Sequence, residues 1–167
     1  MTFYKNRYVL CFFLFLLMLL DGQLSFLVSS IFSYHLTISS HLLLLALLYF
    51  YQDKQQIFIW LTALLLGFLF DIYYLDRVGF VMFLLPFLLS IASKITPFVT
   101  TTFQTVILYM IVLFLFEFIG EICAILLGMT QHSIAYFVTY SFAPTLLYNI
   151  FMYFICHKLF RRVFLRA

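Results

Sequence analysis

Residues 57–93 read IFIWLTALLLGFLFDIYYLDRVGFVMFLLPFLLSIAS, which is two apolar runs separated by the charged pair Asp76 and Arg77. A helix needs about 20 apolar residues to cross the hydrocarbon core of a bilayer, and each run is close to that length. This stretch therefore predicts two membrane-spanning helices joined by a tight turn, and similar runs fill the rest of the chain.

The composition excludes a protein that is soluble in water. Of the 167 residues, 66% are hydrophobic and 9% are charged, whereas a soluble domain is about 45–50% apolar and about 25% charged. Nine Lys and Arg with six Asp and Glu are too few to cover a globular surface. A soluble enzyme and a nucleic-acid-binding domain are therefore excluded. The apolar runs are also longer than the alternating strands, of about ten residues, in an outer-membrane barrel.

Charged and turn residues divide the chain into six predicted spans. A signal peptide is not expected at the N-terminus, because Asp21-Gly22-Gln23 stands where a small-residue cleavage site would follow the first apolar run. We predict a single all-α integral membrane domain. Its spans cover residues 8–30, 39–51, 57–75, 78–93, 98–129 and 133–156, and a basic tail follows at 157–167.

The basic residues predict the orientation of the chain. If the N-terminus is cytoplasmic, Arg77 is the only basic residue outside. Cytoplasmic loops carry an excess of Lys and Arg, and both basic termini share one side only if the number of crossings is even. We therefore expect six spans with both termini in the cytoplasm. The basic residues inside are Lys5, Arg7, Lys54, Lys94, Lys158, Arg161, Arg162 and Arg166.

Four carboxylates lie inside the predicted spans, towards their outer ends: Asp21, Asp71, Glu117 and Glu121. Ionisable groups in hydrocarbon are costly, so each needs a partner. Residues four apart share a helix face, which pairs Asp71 with Gly67 and Glu117 with Glu121. We predict that these two faces pack together and that Arg77 neutralises one acid.

Other interpretations of the acids stay open at this stage. Asp71 could reach the outer headgroups, and Asp21-Gly22 could mark a break in the first span. Glu121 could be interfacial. A proton relay through the acids is also possible in principle, because chains of such groups line pumps.

The sixth span contains Pro144 and Asn149. Proline removes a backbone hydrogen bond and predicts a kink. The Asn149 amide is expected to bond to another helix, although a kink with one such bond would have only a structural role. The amphipathic tail, with Lys158, Arg161, Arg162 and Arg166, is expected to lie on the anionic lipids of the inner leaflet.

Motifs for catalysis are missing from the sequence. It has no nucleophile elbow, no zinc-binding HExxH and no glycine-rich phosphate loop. His35, His41, His132 and His157 are not paired at the spacing of metal ligands. We expect no enzymatic activity, no metal and no cofactor, and an intramembrane hydrolase has only the acids in its favour.

Three motifs together resemble the MreD family of rod shape-determining proteins. The family has a Gly, an Asp four residues later and a Gly at the start of the next span, which correspond here to Gly67, Asp71 and Gly79. Residues 144–149, PTLLYN, resemble its closing helix, and Asp21-Gly22 also matches. Length, six spans and short loops agree over essentially the whole chain.

The resemblance implies a non-enzymatic scaffold of the bacterial cell-elongation complex. The implied partner is MreC, and through it RodA, its penicillin-binding transpeptidase and MreB, so that peptidoglycan synthesis and cell shape are affected. It also implies a fold similar to the substrate-binding subunits of energy-coupling-factor transporters. Gly67 and Gly79 would then form or support a groove for the MreC helix.

That fold similarity supplies an alternative, a vitamin-type small-molecule-binding subunit of a transporter. The alternative predicts a ligand-sized outward cavity and a coupling surface with small-residue motifs on an early span. No clear Ala-x-x-x-Ala-like motif is present, which favours the scaffold.

Overall fold

The computed structural model describes residues 7–50, 56–75 and 79–164, with side chains described for 8–50, 57–75 and 79–156. All regular secondary structure in these residues is helical. Three shorter helical turns join or extend the α-helices: π turns at Asp71–Leu75 and Val138–Phe142 and a 3₁₀ turn at Thr96–Phe98. The α-helices are α1 Arg7–Ile31, α2 Leu42–Phe50, α3 Gln56–Phe70, α4 Val81–Ile95, α5 Thr102–Leu126, α6 Ile134–Phe137 and α7 Ala143–Phe164.

Among the described residues, five helical runs are long and apolar enough to cross a membrane. They correspond to five of the six predicted spans, and they confirm an all-helical integral membrane protein. The runs are Tyr8–Ile31, Ile57–Leu75, Val81–Phe98, Thr102–Leu126 and Ile134–Cys156.

The second predicted span differs from the others. Its helix, α2, has nine residues and is therefore roughly 14 Å long, about half of the hydrocarbon thickness. Residues 37–41 before it are neither helix nor strand, and the alternating directions of their backbone N–H groups are those of an extended chain. The prediction of a helix over 39–51 was wrong at its start, and residues 51–55 lie outside the described part of the chain.

Helix α2 lies at the centre of the bundle. Its sequence, LLLLALLYF, has no polar face, and a helix that is apolar all round is expected to be buried. All nine residues are buried, and α2 packs on α1, α3, α4, α5 and α7. The short helix is therefore the core around which the longer helices assemble.

Two predicted spans were too long or began too early. Helix α5 begins at Thr102 because Thr101 and Gln104 form a capping box, and it ends before Gly128, whose φ is +68°. Helix α4 begins at Val81 rather than at 78. At α5 local capping chemistry, which hydropathy does not report, sets the boundaries.

The last span is one continuous helical run from Ile134 to Phe164 with a π turn just before Pro144. Part of the predicted tail, residues 157–164, continues this helix. The side chains of Lys158, Arg161 and Arg162 are not among those described, and Arg166 lies outside the described residues.

Candidate functional site

Asp71 holds the start of α4. Its side chain is 0% exposed and accepts hydrogen bonds from the backbone N–H groups of Gly79 at 2.9 Å, Val81 at 2.8 Å and Met82 at 3.1 Å. The first N–H groups of a helix have no partner within the helix, and a carboxylate there also meets the positive end of the helix dipole. Asp71 therefore does not reach the headgroups.

Gly67 lies one turn before Asp71, against the same first turn of α4. A Cβ atom at this position would lie 2.7 Å from the Cα of Met82 and 2.7 Å from the carbonyl oxygen of Val81. Both Gly67 and Asp71 thus face α4, and the prediction that they pack on the acidic face of α5 was wrong. In the connection, Gly79 has a φ of +110°, a conformation that favours glycine.

Asp21 has the same arrangement at the start of α2. Its buried carboxylate accepts from the backbone N–H of Leu42 at 2.9 Å, from that of Leu43 at 2.7 Å and from the Ser40 hydroxyl at 2.6 Å. Helix α1 continues through Asp21 and Gly22 without a break. Each of the two buried aspartates therefore holds the N-terminus of the next helix in the chain.

Two serines of α1 continue the contact that Asp21 begins. The hydroxyl of Ser25 accepts from the backbone N–H of Ser40 at 2.8 Å, and that of Ser29 accepts from the N–H of Ile38 at 3.0 Å. Asp21, Ser25 and Ser29 are spaced by four residues and share one face of the helix. The extended segment therefore runs back along α1, antiparallel to it.

Asn149 of α7 binds the other side of the extended segment. Its amide donates to the carbonyl of Ser39 at 2.7 Å, and its oxygen accepts from the backbone N–H of His41 at 2.9 Å. The hydroxyl of Tyr109 on α5 lies 3.1 Å from the same oxygen. The residue is 0% exposed, so one amide joins α7, α5 and the segment before α2.

Pro144 leaves a backbone carbonyl of its own helix without its usual donor. A proline has no N–H to donate to the carbonyl four residues earlier, which is that of Tyr140. That carbonyl accepts instead from the backbone N–H of Thr37 at 3.0 Å. One turn further along, the Thr145 hydroxyl accepts from the N–H of Ser39 at 3.1 Å.

The backbone contacts of the extended segment 37–41 alternate. N–H groups of even-numbered residues bind α1, and N–H groups of odd-numbered residues bind the run that ends in α7, as the two-residue period of an extended chain requires. Non-helical backbone at membrane depth is tolerated only where protein groups satisfy its hydrogen bonds. The two polar helix faces provide these bonds.

His41 and Glu117 form a partly buried pair. The Nε2 atom of His41 lies 2.5 Å from the Oε1 atom of Glu117, and both side chains are 12% exposed. The ring of His41 also packs edge-on against Phe116, with 5.2 Å between the ring centroids. The pair connects the start of α2 to α5, and it replaces the predicted contact of Glu117 with the third span.

A cavity of about 390 Å³ lies beside this pair. Its ionisable lining is Asp21, His41, Glu117 and Glu121, and serines, Tyr74, Gly67 and apolar residues form the rest. Glu117 and Glu121 thus face one space, as their spacing of four predicts. Among the described residues no group of three or more His, Cys, Asp or Glu could hold a metal ion.

Sequence reasoning missed most partners of the acids. The spacing of four between Asp21, Ser25 and Ser29 and between Thr145 and Asn149 was a usable signal, since such a polar stripe inside an apolar helix needs a polar neighbour. Arg77 lies outside the described residues, so its predicted role is not addressed. The missed residues are Ser25, Ser29, Ser40, His41, Tyr109 and Thr145.

Replacing Asn149 with leucine is expected to lower the free energy of unfolding by about 2 kcal/mol, because it strands the N–H of His41 and the carbonyl of Ser39. Denaturation of the purified protein in mixed micelles measures this. Leu147→Ala is the control, since Leu147 is on the same helix and 68% exposed. Equal losses in the two variants would contradict the assignment.

Comparison with known proteins finds a matching family model and a curated relative. The family model described as rod shape-determining protein MreD matches residues 3–164. A curated relative, the cell shape-determining protein MreD of Streptococcus pneumoniae (strain ATCC BAA-255 / R6), is 29% identical over 148 residues, which covers 88% of this chain and 90% of the relative. No solved structure is significantly similar.

Proposed function

The chain belongs to the MreD family of rod shape-determining proteins, and from this membership we propose that it acts in cell-shape determination as a non-enzymatic scaffold of the cell-elongation complex. It is a multi-pass bacterial membrane protein. Through that complex it would support peptidoglycan synthesis at the plasma membrane.

The strongest support from the geometry is the number of hydrogen bonds that the two buried aspartates already accept. Asp21 and Asp71 each accept three hydrogen bonds from protein groups. A carboxylate used in this way holds helices and has little capacity left to act on a substrate. This favours a scaffold over a hydrolase or a proton relay.

We propose that the extended segment and α2 together make the sixth crossing. Five extended residues and a nine-residue helix cover roughly 30 Å, the thickness of the hydrocarbon core. Six crossings put both termini in the cytoplasm, in agreement with the distribution of basic residues. The basic tail would then lie on the inner leaflet.

The proposed partner is the transmembrane helix of MreC, which the family resemblance implies. A shallow apolar groove of about 540 Å³ lies along α4, lined by Gly79, Phe80, Phe83, Phe87 and Trp60 among others. Phe83 and Phe87 are 62% and 57% exposed. A groove with a glycine at one end suits an apolar helix, because small residues permit close approach. RodA, the penicillin-binding transpeptidase and MreB would be reached indirectly.

Affinity purification of this protein in mild detergent is expected to retain MreC in roughly equimolar amount. The double variant Phe83→Ala/Phe87→Ala should retain about tenfold less, or about 1.4 kcal/mol, since two large side chains lose their van der Waals packing against the partner helix. Quantitative mass spectrometry of the eluate measures both amounts.

The matched control is Phe151→Ala/Phe154→Ala, because these side chains of α7 are 64% and 62% exposed and do not line the groove. If the unaltered protein fails to retain MreC, the scaffold proposal is lost. If both double variants lose MreC equally, only the assignment of the groove fails.

The cavity of about 390 Å³ favours one second candidate, the small-molecule-binding subunit of a transporter. Its volume lies within the usual range of ligand pockets. A transporter subunit should copurify with an ATPase and a vitamin, whereas the scaffold should copurify with MreC, so the same purification distinguishes the two functions.

A further inference from the structure

The cavity beside His41 and Glu117 has an unbalanced set of charged groups. Three carboxylates line it, those of Asp21, Glu117 and Glu121, together with the imidazole of His41. No lysine or arginine is among the described residues that line it. A space bounded by apolar helices and acidic groups favours a cation over an anion or a neutral molecule.

The three carboxylates differ in what they can still bind. Asp21 already accepts three hydrogen bonds, which leaves it at most one of about four acceptor sites. His41 uses the Oε1 atom of Glu117, which leaves Oε2 for a second donor. Glu121, one turn further along α5, accepts no hydrogen bond from the part of the chain that the structure describes. Glu117 and Glu121 thus offer acceptors on one side of the cavity.

Aromatic residues line the cavity together with aliphatic ones: Phe70, Tyr74, Phe80, Phe116 and Phe137. The faces of aromatic rings attract organic cations. Carboxylate acceptors beside aromatic walls therefore match a molecule with a protonated amine and an apolar body. A metal ion would need more oxygen ligands than the two available glutamates supply.

We propose that this cavity binds an organic ammonium compound. The N–H groups of the ammonium donate hydrogen bonds to Glu117 and Glu121, and the apolar part of the molecule lies against the aromatic residues. The ammonium comes either from a soluble amine or from the headgroup of an ethanolamine lipid, which have this chemistry in common. The site does not rest on the proposed scaffold function, because nothing in it requires MreC.

Calorimetric titration of the whole protein in detergent tests the proposal with three probes of one size: 2-phenylethylammonium chloride, 2-phenylethanol and phenylacetate. The ammonium is expected to bind once per chain and at least about tenfold tighter than the other two, the effect of one charge-assisted hydrogen bond. Equal affinities for the three probes would overturn the proposal.

Three variants locate the site. Glu121→Gln should weaken the binding of 2-phenylethylammonium about tenfold. The double variant Glu121→Gln/Gln131→Glu restores the net charge at an exposed position outside the cavity and should not recover the affinity. Gly120→Leu fills the cavity where an added Cβ atom meets only the Phe80 ring, at 3.7 Å, and should abolish binding while the helical content is unchanged. Undiminished affinity in Glu121→Gln, or recovery in the double variant, would reject the assigned site.

Native mass spectrometry distinguishes the source of the ammonium. After mixing with phosphatidylethanolamine and phosphatidylglycerol of identical acyl chains, preferential retention of the ethanolamine lipid that Gly120→Leu removes would identify a lipid ligand. Binding of 2-phenylethylammonium without such retention would identify a soluble amine. If neither binds, the proposal fails, whatever the result of the MreC purification.

Discussion

Asp71→Ala is expected to lower the free energy of unfolding by about 4 kcal/mol, since each of three stranded N–H groups at the start of a helix costs about 1–3 kcal/mol. The three groups belong to Gly79, Val81 and Met82. Asp71 itself is fully buried, so alanine leaves no side-chain acceptor at this position. Denaturation in mixed micelles measures the loss, and abundance in membranes should fall with it.

Asp71→Asn is the matched control for this prediction. The asparagine side chain has the same shape and keeps one oxygen, so it should still accept some of the three hydrogen bonds. The free energy of unfolding should therefore fall about half as much, by roughly 2 kcal/mol. The assignment would be wrong if the alanine variant unfolded like the unaltered protein. Full complementation of a depletion strain by Asp71→Ala would make the carboxylate incidental to function as well.

Gly67→Ala is expected to cost about 2–3 kcal/mol, the range for forcing an extra group into a packed interior. The added Cβ atom would lie 2.7 Å from backbone atoms of Val81 and Met82. Backbone cannot rotate away as a side chain can, so α4 must shift as a whole. That shift would also lengthen the three hydrogen bonds of Asp71, and the same denaturation experiment measures the total.

Gly120→Ala makes the same chemical change in α5. There the added Cβ atom would lie 3.7 Å from the ring of Phe80, an ordinary contact. Alanine favours a helix over glycine by about 0.5–1 kcal/mol, so this variant should be as stable as the unaltered protein or slightly more stable. Similar losses at both glycines would show that close approach of α3 and α4 is not the cause.

Hydropathy predicted the five long helices because the cost of placing a residue in hydrocarbon is a local property of that residue. The same reasoning treated residues 39–51 as a further helix. Hydropathy does not report that Ser39, Ser40 and His41 are extended. Their backbone N–H groups bind α1 and α7, which are distant in the sequence or lie outside this stretch. The short helix that remains is apolar on all sides, and its hydropathy alone resembles that of a complete span.

The spacing of the acids predicts correctly which of them share a helix face. The helix that was predicted to lie opposite Asp71 was wrong. Glu117 and Glu121 do face one cavity. Asp71, however, binds the first turn of α4, the next helix in the chain, rather than the acidic face of α5. A period of 3.6 residues assigns two side chains to the same stripe, but it contains no information about which helix lies opposite that stripe.

Local hydrophobicity and the charges at the ends of spans are enough to identify a helical membrane protein and to locate its long helices. The pairing of the polar groups inside the bundle follows only from the packing of the helices. Asp21 and Asn149 are more than a hundred residues apart, yet they hold opposite sides of one extended segment. In hydrocarbon a polar group must find a protein partner, and which partner it finds depends on the positions of all the helices together.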